Sequence, residues 1–185
     1  MKRFIFSFLV LLLAGYSYGE IEPRVRHTAI YVSGAYSLLG SGAELRVEHA
    51  FSRYVSIIVP LEYRFEAMSM FAESSKFNIG TAGVGTKFYF SQLFWSQQSL
   101  RGFFIEGKLG AGYAHQSGGH PLILNNKGIT FVLGAALGYS HAFDCGLFLT
   151  TSLGINARSY LKPIVAPPMR LDPLPELSFG LGYSF

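Results

Sequence analysis

Two groups of residues in this 185-residue chain have the types and spacing to do chemistry. The first is His115-Gln116-Ser117. A histidine two positions from a serine offers a base and a nucleophile, and acyl transfer by such a pair needs an acid to orient the imidazole. No Glu occurs in residues 128–143, and the nearest acid there, Asp144, falls at the far end of the next apolar segment. The second group is a set of charges inside otherwise apolar segments: Glu44, Arg46, Glu48, Glu62, Arg64, Lys87, Glu106, Lys108, Arg158 and Glu176. The five acids match the five bases in number. Such a set points to mutual pairing rather than hydrolysis, because a carboxylate crowded by Arg and Lys is held as a charge partner. His115 with His120 supplies two ligands and no third, too few for a closed metal site, so no metal is expected. Gly83-Val84-Gly85 and Gly110-Ala111-Gly112 lie mid-segment with no helix following, so they are not phosphate loops and no cofactor is implied.

The elements that must position these residues are strands. The stretch Leu177-Ser178-Phe179-Gly180-Leu181-Gly182-Tyr183-Ser184-Phe185 alternates a large apolar residue with Ser or Gly throughout. In an extended strand, that makes one face greasy and the other small and polar. Seven earlier segments repeat the pattern: 27–38, 43–49, 55–65, 77–90, 102–114, 129–143 and 147–158. In 43–49, for example, Ala43, Leu45 and Val47 oppose Glu44, Arg46 and Glu48. The ten charges fall on the polar parity of their segments. His115 has the parity of Ala111 and Tyr113, the apolar one.

Apolar on one face and charged on the other fits a barrel in a bilayer, with lipid outside and a polar lumen. Composition agrees: 50% hydrophobic, 14% charged, with 21 Gly, 17 Phe and 11 Tyr. Soluble domains carry roughly 25% charged residues. No segment after the N-terminus has the 18 or so continuous apolar residues of a membrane helix. The reading is therefore all-β, an eight-stranded antiparallel up-and-down transmembrane β-barrel.

The N-terminus reads as a signal peptide. Lys2 and Arg3 precede an apolar run from Phe4 to Gly15, and Ser17-Tyr18-Gly19 supplies small residues for cleavage. Residues 1–19 are expected to be removed, leaving 20–185 as one outer-membrane barrel domain. Cleavage takes the formal charge from +4 to about +2, too weak and dispersed for nucleic acid. The single Cys145 cannot form an intrachain disulfide.

With both termini in the periplasm, the periplasmic turns are 50–53, 91–100 and 144–146. The outer connections are Gly40-Ser41-Gly42, Glu66 to Lys76, His115 to Lys127, and Ser159 to Asp172. The last is expected to be stiffened by Pro163, Pro167, Pro168, Pro173 and Pro175. Aromatics form two expected belts. One is periplasmic: Phe51, Tyr54, Phe88, Tyr89, Phe90, Trp95, Phe103, Phe104, Phe148, Tyr183 and Phe185. The other is outer: Tyr36, Tyr63, Phe65, Phe77, Tyr113 and Tyr160. Met68, Met70, Phe71, Ile164, Val165 and Met169 are candidate loop contacts for an extracellular partner or for folding over the barrel mouth. An eight-stranded barrel is just wide enough for side chains to fill it, so a charge-plugged lumen is expected, with a narrow porin-like channel as the alternative.

Together these features resemble the small OmpA/OmpX-like outer-membrane β-barrels, over essentially all of 20–185. The resemblance implies a place in the outer membrane among its lipid and lipopolysaccharide. It also implies that Tyr183 and Phe185 resemble the terminal signal read by the barrel-assembly machinery. Function then reads as a non-enzymatic structural or surface-interaction scaffold. The His115-Gln116-Ser117 motif separately resembles the PagL family of lipid A deacylases, also eight-stranded barrels, which implies His115 as base and Ser117 as nucleophile. That family follows the Ser with Asn and has a Glu on the next strand; this chain has Gly118 and no such Glu.

Overall fold

The computed structural model describes residues 26–37, 40–70, 73–93, 99–117, 127–160 and 170–185. The expected signal peptide, 1–19, lies outside them. Eight strands run in chain order: β1 (Thr28–Ser37), β2 (Gly40–Ala50), β3 (Val55–Met70), β4 (Glu73–Phe88), β5 (Gly102–Ser117), β6 (Lys127–Ala142), β7 (Leu147–Tyr160) and β8 (Arg170–Ser184). Each pairs antiparallel with the next, and β8 pairs with β1 to close the barrel. No strand edge is left open, as a lipid surround requires.

The period-2 pattern is realised inside out. Tyr113 and Leu133 on the outer face are each 66% exposed, while Glu48 and Lys87 in the lumen are 0% exposed. A water-soluble barrel would reverse this. The bands of exposed Ile, Leu, Val and Phe make the wall a lipid-facing surface.

The strands outrun the alternation at the loop-bearing end. Gly40-Ser41-Gly42, expected as a turn, is the start of β2 and pairs with Ser37, Tyr36 and Ala35. The expected outer connection Glu66–Lys76 is mostly hairpin: the β3–β4 ladder continues through Ala67↔Lys76 to Met70↔Glu73. Met68 and Met70, expected in a loop, are therefore strand residues. β5 extends to Ser117, and β8 begins at Arg170, taking in Pro173 and Pro175. The reason is physical. Alternation reports which faces meet lipid and lumen, whereas a backbone ladder continues wherever partners stand opposite. Pro175 stays in register opposite Ile155, whereas Pro173, which has no N–H to give, falls where the β7–β8 register shifts between Asn156 and Arg158. Phe71, His120, Ile164, Val165 and Met169 lie outside the described residues.

At the other end the β2–β3 and β6–β7 turns are tight, but the β4–β5 connection, 89–101, is longer than the links 38–39 and 71–72 at the opposite end, so short and long connections do not sort cleanly by side. Ser52 Oγ accepts from the backbone N–H of Tyr54 at 3.2 Å and of Val55 at 3.1 Å, fixing the β2–β3 turn. The β6–β7 turn carries Asp144, exposed Cys145 and Gly146. Gly146 has φ +99°, and a Cβ there would lie 2.2 Å from the Tyr183 ring, so only glycine fits. After β4 a 3-10 turn, Phe90–Leu93, leads toward Leu100, which is fully buried and left-handed at φ 64°.

Candidate functional site

Lumen-facing side chains come from every strand, and they form two zones. At the tight-turn end the zone is apolar. Ala29, Tyr31, Ala50, Leu100, Ala142 and Phe148 cluster there, with Tyr31 and Phe148 ring centroids 4.9 Å apart. Tyr89 and Phe104 adjoin, 5.7 Å between centroids, and both are buried. Tyr89, Phe104 and Phe148 were expected in the membrane-interface belt. They instead turn inward and stopper one mouth of the barrel, because their parity is that of the lumen. Ile58, also fully buried, belongs to the same inward parity of β3.

Above the stopper sits Glu48. It accepts from Lys87 Nζ at 2.6 Å, Ser56 Oγ at 2.6 Å, Tyr89 Oη at 2.6 Å and Tyr31 Oη at 3.2 Å. Lys87 also donates to Tyr31 Oη at 3.0 Å and stands 4.3 Å from the centroid of Phe104. Each charge is thus solvated by fixed groups, as its burial demands.

The remaining eight charges make one chain of ion pairs along the lumen. Arg46 bridges Glu106 at 2.9 Å and Glu44 at 2.7 Å. Lys108 joins Glu44 at 3.4 Å to Glu176 at 4.0 Å. Arg64 pairs with both Glu176 and Glu62, and Arg158 reaches Glu62 at 3.1 Å. Glu44 and Glu62 are directly opposed in the β2–β3 register, a repulsive placement that Arg46 and Arg64 on the same strands offset. The chain ties together β2, β3, β5, β7 and β8. Glycines make room for the long stems: a Cβ on Gly42 would lie 2.4 Å from Arg64 Cγ. Two cavities of about 10 Å³ remain in this zone, one beside Arg46, Lys108 and Asn156, the other beside Arg64 and Arg158. Each has room for about one water.

The exterior carries two aromatic girdles. Phe51, Phe88, Phe103, Tyr183 and Phe185 are exposed at the tight-turn end, and Tyr36, Tyr63, Phe65 and Tyr113 at the other. Tyr183 and Phe185 project outward, while the Phe185 backbone closes the seam. Its N–H donates to the Thr28 carbonyl at 2.8 Å, and its carbonyl accepts from Thr28 at 3.1 Å. Arg26 latches the same rim, donating to the carbonyls of Ser184 and Asp144.

His115 is near the end of β5, partly exposed, and Ser117 closes that strand. The ladder partners of His115 are Asn78 on β4 and Lys127 on β6, neither of them an acid. Beside this rim, on the outer wall, lies a groove of about 620 Å³. Gly80, Ala82 and Ala111 floor it, with Tyr63, Leu61 and Tyr113 on its sides. Sequence reading missed this groove and the inward stopper. Parity would have found the stopper; the groove needs the register across five strands.

No family model matches the chain, and no curated protein matches it in sequence. Solved structures do share its fold. Ail, the attachment invasion locus protein of Yersinia pestis, aligns at 13% identity, covering 86% of this chain and 99% of that one, with a TM-score of 0.52. Neisserial surface protein A aligns at 16% identity, covering 86% and 95% respectively, with a TM-score of 0.55. The fold is that of the small eight-stranded OmpA/OmpX-like outer-membrane β-barrels.

Proposed function

We propose that the chain is a non-enzymatic scaffold of the outer membrane, anchored by its barrel and presenting the β1–β2, β3–β4, β5–β6 and β7–β8 connections to the outside. The observation that carries this reading is a closed barrel whose lumen is filled by paired charges and stoppered by aromatics. With no wide passage among the described residues, the wall and the loops are left to act, and an extracellular partner would meet the loops. The low-dielectric surround makes the paired interior costly to open.

Planar-bilayer recording tests the closed lumen. The reconstituted protein is expected to be electrically silent, and steady unitary currents would overturn the plug in favour of a narrow channel. The PagL-like alternative is tested by mass spectrometry of lipid A from cells with and without the protein. An unchanged acyl pattern is expected, since His115 stands between Asn78 and Lys127 rather than beside a carboxylate. Loss of an acyl chain would overturn the non-enzymatic reading.

We place the β2–β3, β4–β5 and β6–β7 connections in the periplasm, where the barrel-assembly machinery would read Tyr183 and Phe185. Deleting Phe185 is then expected to lower the outer-membrane level severalfold, a larger effect than the modest heat stability that folded barrel loses with the Phe185 hydrogen bonds to Thr28. Normal levels of the truncated protein, by quantitative blotting of membrane fractions, would contradict this.

A further inference from the structure

We propose that the outer wall of β3–β6, at its loop-bearing rim, binds a phosphorylated, multiply acylated lipid of the outer leaflet. This rests on the membrane placement proposed above. The groove supplies the first half of the argument. Tyr63, Gly80 and Tyr113 are aligned across β3, β4 and β5, and the next row inward is Leu61, Ala82 and Ala111. Two tyrosines therefore flank a gap over β4, above a floor of Gly80, Ala82 and Ala111, and the groove runs on past Leu45 and Ala43 to Val32 on β1. A Cβ added to Gly80 would meet nothing within 4 Å, so the gap is open on the lipid side. Its walls are mainly apolar, as an acyl chain requires.

The rim supplies the second half. From Phe103 in one girdle to Tyr113 in the other, a tilted strand climbs roughly 25 Å, the height of the apolar band. The next outward row, Asn78, His115 and Lys127, and Lys76 one row beyond on β4, therefore stand at headgroup level. Lys76 and Lys127 are exposed and His115 is partly exposed. Lys76 is paired with Ala67 and Ser117, and His115 with Asn78 and Lys127, so none of these ladder partners is acidic. Two ammonium groups and an imidazole on the β4–β6 rim, beside the β4–β5 side of the groove, complement a phosphate attached to acyl chains. A free phosphate would use only the rim, and a neutral lipid only the groove.

Native mass spectrometry of the full folded chain in detergent, titrated with diphosphoryl lipid A, tests the site. The Lys76→Gln/Lys127→Gln variant is expected to bind about tenfold more weakly, as is the wild type with dephosphorylated lipid A. Gly80→Phe, whose Cβ would meet nothing within 4 Å, puts a ring into the gap and is expected to weaken binding severalfold. Heat-modified gel mobility verifies that each variant is folded. Undiminished binding by the double-lysine variant, or equal binding of the dephosphorylated lipid, overturns the site. Undiminished binding by Gly80→Phe overturns the groove as the acyl seat. These results are separable from the scaffold reading: a protein found in the outer membrane but indifferent to phosphate overturns the lipid site alone. Absence from that membrane overturns the placement itself.

Discussion

Replacing Glu48 with Ala destabilises the folded barrel by about 3–5 kcal/mol. The carboxylate is fully buried and takes four hydrogen bonds, from Lys87, Ser56, Tyr89 and Tyr31. Its removal strands the Lys87 ammonium against three aromatic rings and one tyrosine hydroxyl. Glu106, opposite Lys87 in the β4–β5 ladder, is already bridged by Arg46 at 2.9 Å, so the ammonium carries much of its desolvation cost unrelieved. The effect should therefore belong to the abandoned lysine more than to the lost bonds. A second variant separates the two: Glu48→Ala/Lys87→Met removes the charge along with its partner and is expected to recover at least half of the loss. Urea unfolding in lipid vesicles measures both. A single variant within about 1 kcal/mol of the wild type would sink the argument. So would a double variant less stable than Glu48→Ala alone.

Much of this interior was legible in the sequence because side-chain direction along a strand is fixed by backbone geometry. Glu44, Arg46 and Glu48 sit between Ala43, Leu45 and Val47, so no fold knowledge is needed to separate the two sets. Tyr89, Phe104 and Phe148 went to the wrong surface for an instructive reason. They were sorted by chemical type, as aromatics near a membrane boundary, although their parity is that of Lys87, Glu106 and Thr150. Strand ends were misjudged where alternation and hydrogen bonding part company, as in Glu66–Met70, which stays in the ladder. The pairing of individual charges was not legible at all. Arg64 reaches Glu176 on a strand 112 residues away, and that contact depends on the stagger of all eight strands. The groove is hidden for the same reason, since Gly80 gains its meaning only from the tyrosines that register places beside it.

Gly182→Val is expected to prevent normal closure, with a cost of about 3 kcal/mol or more against the folded barrel. Gly182 lies in the β1–β8 seam opposite Tyr31. A Cβ there would come within 2.1 Å of the Ile30 carbonyl oxygen, 2.3 Å of Tyr31 Cβ and 2.4 Å of Tyr31 Cα. Two of these are backbone atoms, held by a ladder that runs from Ala29↔Ser184 to Ser37↔Glu176. Relief requires the strands to separate, and each backbone group then exposed to hydrocarbon costs several kcal/mol. The seam is also the most non-local contact in the molecule, so its rupture cannot be confined to a single turn. Gly107→Val is the matched control. Gly107 is also a mid-strand glycine, but a Cβ there meets nothing within 4 Å. Valine suits a strand, so that variant should stay within about 0.5 kcal/mol of the wild type. Heat-modified gel mobility after refolding into vesicles reads the closed fraction. Equal closed fractions for the two valine variants would show that the seam tolerates a side chain, and that closure does not depend on this approach of β8 to β1.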